Sequence, residues 1–150
     1  MTDPSAAAVI EHLGLHRHPE GGWYRETWRA PDDGAQRAAG SAILYLLAAG
    51  ERSHWHRVDA AEIWQFSAGD PLELRIWAED DAAIATHRLG GRVLAGLTPQ
   101  VVVPARAWQA ARPLGDWTLV GCIVTPAFEF AGFEMAPVGW EPHLTQPEPT

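Results

Sequence analysis

The chain has 150 residues, of which 47% are hydrophobic and 20% charged, and a formal net charge of −8. This length and balance suit one folded domain over 1–150, with a core over about 15–137, and exclude both a disordered chain and a membrane protein. Eleven Lys and Arg residues against 19 Asp and Glu argue against binding nucleic acid through its phosphates, and the longest apolar run, 42–49, is far short of the ~20 residues of a membrane helix. The start of the chain lacks the basic segment of a signal peptide, and a lone Cys122 has no disulfide partner, so a reducing cytoplasm is the expected location.

In chain order, Asp3 and Pro4 read as the N-cap and first turn of a short helix, with Val9 and Leu13 as an apolar i, i+4 pair before Gly14. Beyond it the helical period disappears. Strand-like runs follow at Gly22 to Trp28, Ser41 to Leu47, His54 to Arg57, Glu62 to Phe66 and Leu72 to Trp77, then at Ile84 to Leu89, Val101 to Val103, Trp117 to Val124 and Phe128 to Met135. The expectation is an all-β fold, a closed or two-sheet barrel behind one short N-terminal helix. Leu72, Leu74 and Ile76 alternate with Glu73, Arg75 and Trp77, placing one face on the core and the other in water. Ser41 to Leu47 has no such alternation, which suggests cover on both faces, supplied by a second subunit in a homodimer. Residues 31–40 read as a loop, and the proline-rich tail 138–150 as irregular.

The chemistry concentrates in GERSHWHRVDAAEIWQFSAG, residues 50–69. His54 and His56 are two apart on a strand and so share a face; Glu62, Trp64 and Phe66 do the same on the next run. If Val58 to Ala61 turns these strands into a hairpin, two imidazoles and a carboxylate converge, a ligand set suited to a first-row divalent metal.

This segment resembles the first cupin motif: His-x-His, a gap, Glu, six residues and Gly. The second motif follows only in part. Pro104 fits it, whereas Arg106 stands in place of Gly, Gln109 in place of the third metal-binding His, and Pro113 in place of Asn. Over nearly the whole chain, HPEGGWYRETWR (18–29), HRVDAAEIWQFSAGDPLEL (56–74), VVPARAWQAARP (102–113) and WTLVGCIVTPAFEFAGFEM (117–135) resemble the fifth cupin subfamily, small stand-alone cupins of uncharacterised function. The resemblance implies a jelly-roll barrel, dimers, and a pocket like that of the dTDP-sugar epimerases.

Candidate catalytic residues are His56 as general base, Glu62 to orient it or act as acid, and Tyr24 as a further acid. His54, Trp64, Gln109, Trp108 and Arg25 are candidate ligand contacts. In the metal-dependent variant, His54, His56, Glu62 and Gln109 surround Ni, Zn, Mn or Fe, held weakly because Gln109 replaces an imidazole. Two functions stay open: an isomerase- or epimerase-like enzyme on a carbohydrate derivative or other small polar metabolite, and a metabolite-binding module without chemistry. His12, His16, His18, His87 and His143 read as surface or turn residues, and Cys122 as a small core residue.

Overall fold

A computed structural model of the chain describes residues 5–32, 34 and 36–144. Helix α1 (Ala6–Leu13) is capped by Ser5, whose hydroxyl accepts from the Ala8 amide, and it stops at Gly14 in the left-handed conformation. The expected cap at Asp3 and Pro4 lies outside the described residues.

Eleven strands follow among the described residues: β1 (His16–Arg17), β2 (Trp23–Arg29), β3 (Ser41–Ala48), β4 (Ser53–Val58), β5 (Ala61–Gly69), β6 (Leu72–Trp77), β7 (Ala85–Leu89), β8 (Gln100–Val103), β9 (Trp108–Pro113), β10 (Trp117–Thr125) and β11 (Phe133–Met135). They form two antiparallel sheets, ordered β1-β2-β3-β10-β5-β8 and β11-β4-β9-β6-β7. This is the expected all-β jelly roll. Between the sheets lies a core that includes Tyr45, Leu47, Trp64, Leu72, Leu74 and Val120.

Three departures from the sequence reading have local causes. The strand β9 was not expected, since Ala110, Ala111 and Pro113 are poor strand formers; it is held between β4 and β6 by ladders on both edges. Only the end of the run Phe128 to Met135 is a strand, because Phe130–Gly132 closes a 3₁₀ turn. Most important, β4 and β5 are not a hairpin. The corner at Val58 to Ala61 carries the chain from one sheet to the other, so residues on β4 and β5 meet across the interior rather than along one face.

From Leu44 to Ala48 the second face of β3 is covered from within the chain. Leu46 is fully buried in a cluster with Leu15, Trp117 and Leu119, against which Val9, Ile10 and Leu13 of α1 also pack. The outer face of β6 is covered too, since Trp77 joins Trp55 and Trp108 beneath Trp140, a residue expected in the irregular tail. Among the described residues no helix is long and apolar enough to cross a membrane.

Because Leu46 is the point on which α1 seats, Leu46→Ala should destabilise the protein by about 3 kcal/mol, the usual cost of an aliphatic truncation in a core. Urea unfolding followed by circular dichroism measures this; a loss below about 1 kcal/mol would mean that α1 does not seal this face.

Candidate functional site

A cavity of about 360 Å³ opens between the sheets. Its inner wall includes His18, Glu20, His56, Glu62 and Cys122; Tyr24 lies higher, and the rim carries Glu26, Arg29, Phe128, Glu129, Phe130 and Phe133. His56 and Glu62 thus face one interior from opposite sheets, β4 and β5.

The partner of His56 is Glu20, a residue not singled out on the sequence. His56 Nε2 lies 2.8 Å from Glu20 Oε2, and both side chains are buried. On the other side of the ring, Nδ1 lies 2.7 Å from the His54 carbonyl, which can only accept, so Nδ1 carries a proton. Glu20 reaches the cavity through the turn HPEGG between β1 and β2. Gly21 and Gly22 both have positive φ; a β-carbon on Gly21 would collide with the Arg52 carbonyl, and one on Gly22 would lie 2.7 Å from the Leu46 carbonyl oxygen. The Tyr45 hydroxyl donates to Gly21 O, and the His54 amide to Glu20 O at 2.9 Å, pinning the turn against β3 and β4.

His18, expected at the surface, belongs to this wall. Its Nδ1 accepts from the Glu20 amide at 3.1 Å and so cannot donate to Glu20 Oε1, 3.7 Å away. Burial lowers its pKa, outweighing the nearby Glu20 charge, and the ring is neutral.

Glu62 has neutral neighbours instead. The Trp64 indole donates to Gln109 Oε1 at 2.8 Å, which orients the amide so that Gln109 Nε2 donates to Glu62 Oε2, also at 2.8 Å. The Cys122 thiol, its pKa pushed well up by burial, supplies a second donor. Burial is likewise the main cause that raises the Glu62 pKa to about 7, with the Glu20 charge adding to it and the His56 charge opposing. For His56, burial alone would lower the pKa, but the Glu20 carboxylate and its hydrogen bond raise it to about 9. Glu20 is held below the usual carboxylate range, because its burial is outweighed by the His56 charge and hydrogen bond.

Several candidates lie elsewhere. His54 does not share the face of His56, because a bulge between Ser53 and His56 breaks the two-residue alternation. Its Nε2 is 3.1 Å from the carbonyls of Ala136 and Pro137, and the side chain lines a separate surface depression. Trp108 packs on the outer face of β9, its ring centroid 4.7 Å from that of Trp140. Arg25 is exposed beside Gly14 at the end of α1. Trp64 and Gln109 are buried behind Glu62 and orient it without lining the cavity. Tyr24 does line it, 4.6 Å edge-on from the His18 ring.

The metal set implied by the cupin motifs therefore does not assemble: His54 points away, Gln109 is engaged by Trp64 and Glu62, and His56 by Glu20. Among the described residues no group of three or more His, Cys, Asp or Glu side chains is arranged to hold a metal ion.

Two antiparallel sheets closing over a polar interior site are the architecture of a jelly-roll barrel with a central pocket. The comparisons extend this to the family. A model described as Cupin superfamily (DUF985) matches residues 7–136, and the chain belongs to that family. A protein from Shewanella oneidensis is similar in structure, with a TM-score of 0.83 and 36% identity over 89% of this chain and 85% of that one. So is a hypothetical protein from Leishmania major, with a TM-score of 0.79 and 31% identity over 87% of this chain and 86% of that one. Oxalate decarboxylase from Bacillus subtilis shares the fold, with a TM-score of 0.63 and 13% identity over 83% of this chain and 31% of that one. No curated protein matches the sequence.

The buried Glu62 carboxyl should appear in the pH dependence of stability. A folded pKa of about 7 against 4.5 unfolded favours the folded state fully below pH 4.5, and that advantage is lost as pH rises through about 7. Glu62→Gln removes the titration but keeps an acceptor for Gln109. Relative to the parent, the variant should gain about 2–3 kcal/mol between pH 5 and pH 8.5. Denaturant melts at the two pH values measure it, and a constant difference would refute the raised pKa.

Proposed function

We propose that this cupin is an enzyme moving a proton on a small polar metabolite, an isomerase or epimerase acting at a carbon beside a carbonyl. The observation that supports this reading is one cavity faced by a hydrogen-bonded imidazole–carboxylate pair and by a separate carboxyl whose pKa lies near neutrality. A volume of about 360 Å³ suits a small molecule.

The roles expected from the sequence change in this reading. With a pKa of about 9, His56 holds its proton at neutral pH and supplies positive charge; Glu62, ionised above about 7, serves as the base. Glu62 takes the proton from the carbon, and the C–H electron pair moves toward the carbonyl, whose oxygen is stabilised by the positive charge of the His56 imidazolium nearby. Return of a proton to carbon regenerates the Glu62 carboxylate without net oxidation. Tyr24 supplies a phenol to hold a substrate oxygen. The reaction would take place in the cytoplasm.

Incubation with a panel of hydroxy-ketones and aldoses in D₂O, followed by NMR, tests the reading. Deuterium should enter at the carbon beside the carbonyl, with a rate rising through about pH 7 and falling through about pH 9. Glu62→Gln and His56→Asn should each slow exchange by about 10²–10⁴-fold. Binding of a compound without exchange would support a binding module instead.

We also propose a homodimer, on a different surface. Strands β3, β8 and β10 contain no charged residue, and the one in β5, Glu62, faces inward. Register aligns Trp28, Ala42, Ile123, Ile63 and Val102 across the outer face, with Trp28 52%, Ile123 38% and Val102 54% exposed. A chain of net charge −8 can bring this face against its own copy without opposing like charges. Light scattering should give about twice the 16.4 kDa monomer mass, and Ile123→Lys should halve it. A monomeric parent protein at micromolar concentration would refute the dimer.

A further inference from the structure

The cavity rim has features that the proton-transfer site does not use. Phe128, Phe130 and Phe133 form an edge-to-face cluster, with centroids 5.0, 5.8 and 6.3 Å apart. All three line the cavity, and Phe130 is 59% exposed. The loop bearing Phe128 and Phe130 is fixed from below: Ser41 Oγ accepts from the Phe128 amide at 2.9 Å, and Arg29 Nη2 donates to the Phe128 carbonyl at 2.9 Å. A large aromatic held open to water by a braced loop is a surface prepared for contact.

Charge around the cavity is unequal. Four carboxylates line it, Glu20, Glu26, Glu62 and Glu129, against the cations Arg29 and His56. Both cations are already engaged: His56 with Glu20 at 2.8 Å, and Arg29 with Glu26 at 2.9 and 3.2 Å. Arg37 approaches Glu129 only to 3.9 Å and directs both terminal nitrogens to Asp59, at 2.8 and 3.0 Å. An anionic ligand would meet surplus negative charge and cations already committed to carboxylates. A cation would meet the Glu129 carboxylate and aromatic rings on the same rim.

We infer that the compound entering this cavity is a small organic cation, an amine or ammonium, whose charged nitrogen sits at the rim between Glu129 and the Phe128–Phe130–Phe133 cluster. This rests on the cavity being a small-molecule site, as proposed above, and narrows the ligand class. It leaves Glu62 and the His56–Glu20 pair free to act on the uncharged end of the molecule. Phosphorylated and carboxylated metabolites would meet the same surplus of carboxylates and bind more weakly.

Three probes of similar shape and different charge test it: cyclohexylamine, cyclohexanol and cyclohexanecarboxylate, titrated into the isotope-labelled protein at pH 7.5 and followed by NMR at cavity residues. The amine should bind about tenfold more tightly than the alcohol, and the carboxylate more weakly than either. Phe130→Ala and Glu129→Gln lie on the exposed rim, away from the core, and should each cut the amine's advantage to about threefold or less. A carboxylate that binds as tightly as the amine, or an advantage unchanged in both variants, overturns the inference. Equal affinity for all three refutes the charge seat but leaves the small-molecule reading standing; failure of every probe to perturb the cavity refutes both.

Discussion

The contact between His56 and Glu20 is the constraint around which the rest of the site is arranged. Two ionisable groups are taken out of water between two sheets, a costly move unless each finds a partner and further hydrogen bonds. Here the partner of each is the other, at 2.8 Å, and the second imidazole nitrogen is satisfied by the His54 carbonyl. Meeting that requirement ties together distant parts of the chain. The turn between β1 and β2 must enter the interior, which needs two glycines in succession; β4 must bulge, which turns His54 outward while His56 stays in. Removing either partner would leave a buried group whose charge has no compensation.

Glu62 shows the opposite solution a short distance away. Its oxygens are met by an amide and a thiol, so it is hydrogen-bonded without being neutralised. That difference in surroundings separates two carboxylates in one cavity, with Glu20 held ionised and Glu62 poised near neutrality. Trp64 takes part without touching the cavity, because its indole decides which end of the Gln109 amide faces Glu62.

Much of this could be read from residue order. Alternation in Leu72, Leu74 and Ile76 identified a strand with one face on the core, and His56 and Glu62 do line one cavity, although across two sheets and not along the hairpin expected from their spacing. What escaped had physical reasons. Period-two reasoning assumes a regular strand, and the bulge that removes His54 has no glycine or proline to announce it. Glu20 lies in sequence far from its partner and in a segment that reads as a turn; the only local signal was the pair Gly21–Gly22, which marks a sharp turn but not its direction. The apolar strand β3 was rightly expected to be covered on both faces, yet α1 supplies much of that cover from the same chain.

The eight tryptophans fall into groups with different surroundings, which gives the protein built-in optical reporters. Trp55, Trp77 and Trp108 gather beneath Trp140 on the outside of one sheet, with Arg75 over Trp55 and Arg57 over Trp108. Close rings of this kind exchange excitation, so emission from that group follows the docking of the C-terminal segment and says little about the cavity. Trp64 stands apart, one hydrogen bond from Gln109 and two from Glu62. Its indole proton resonance is therefore the natural gauge of whether that carboxyl carries a charge.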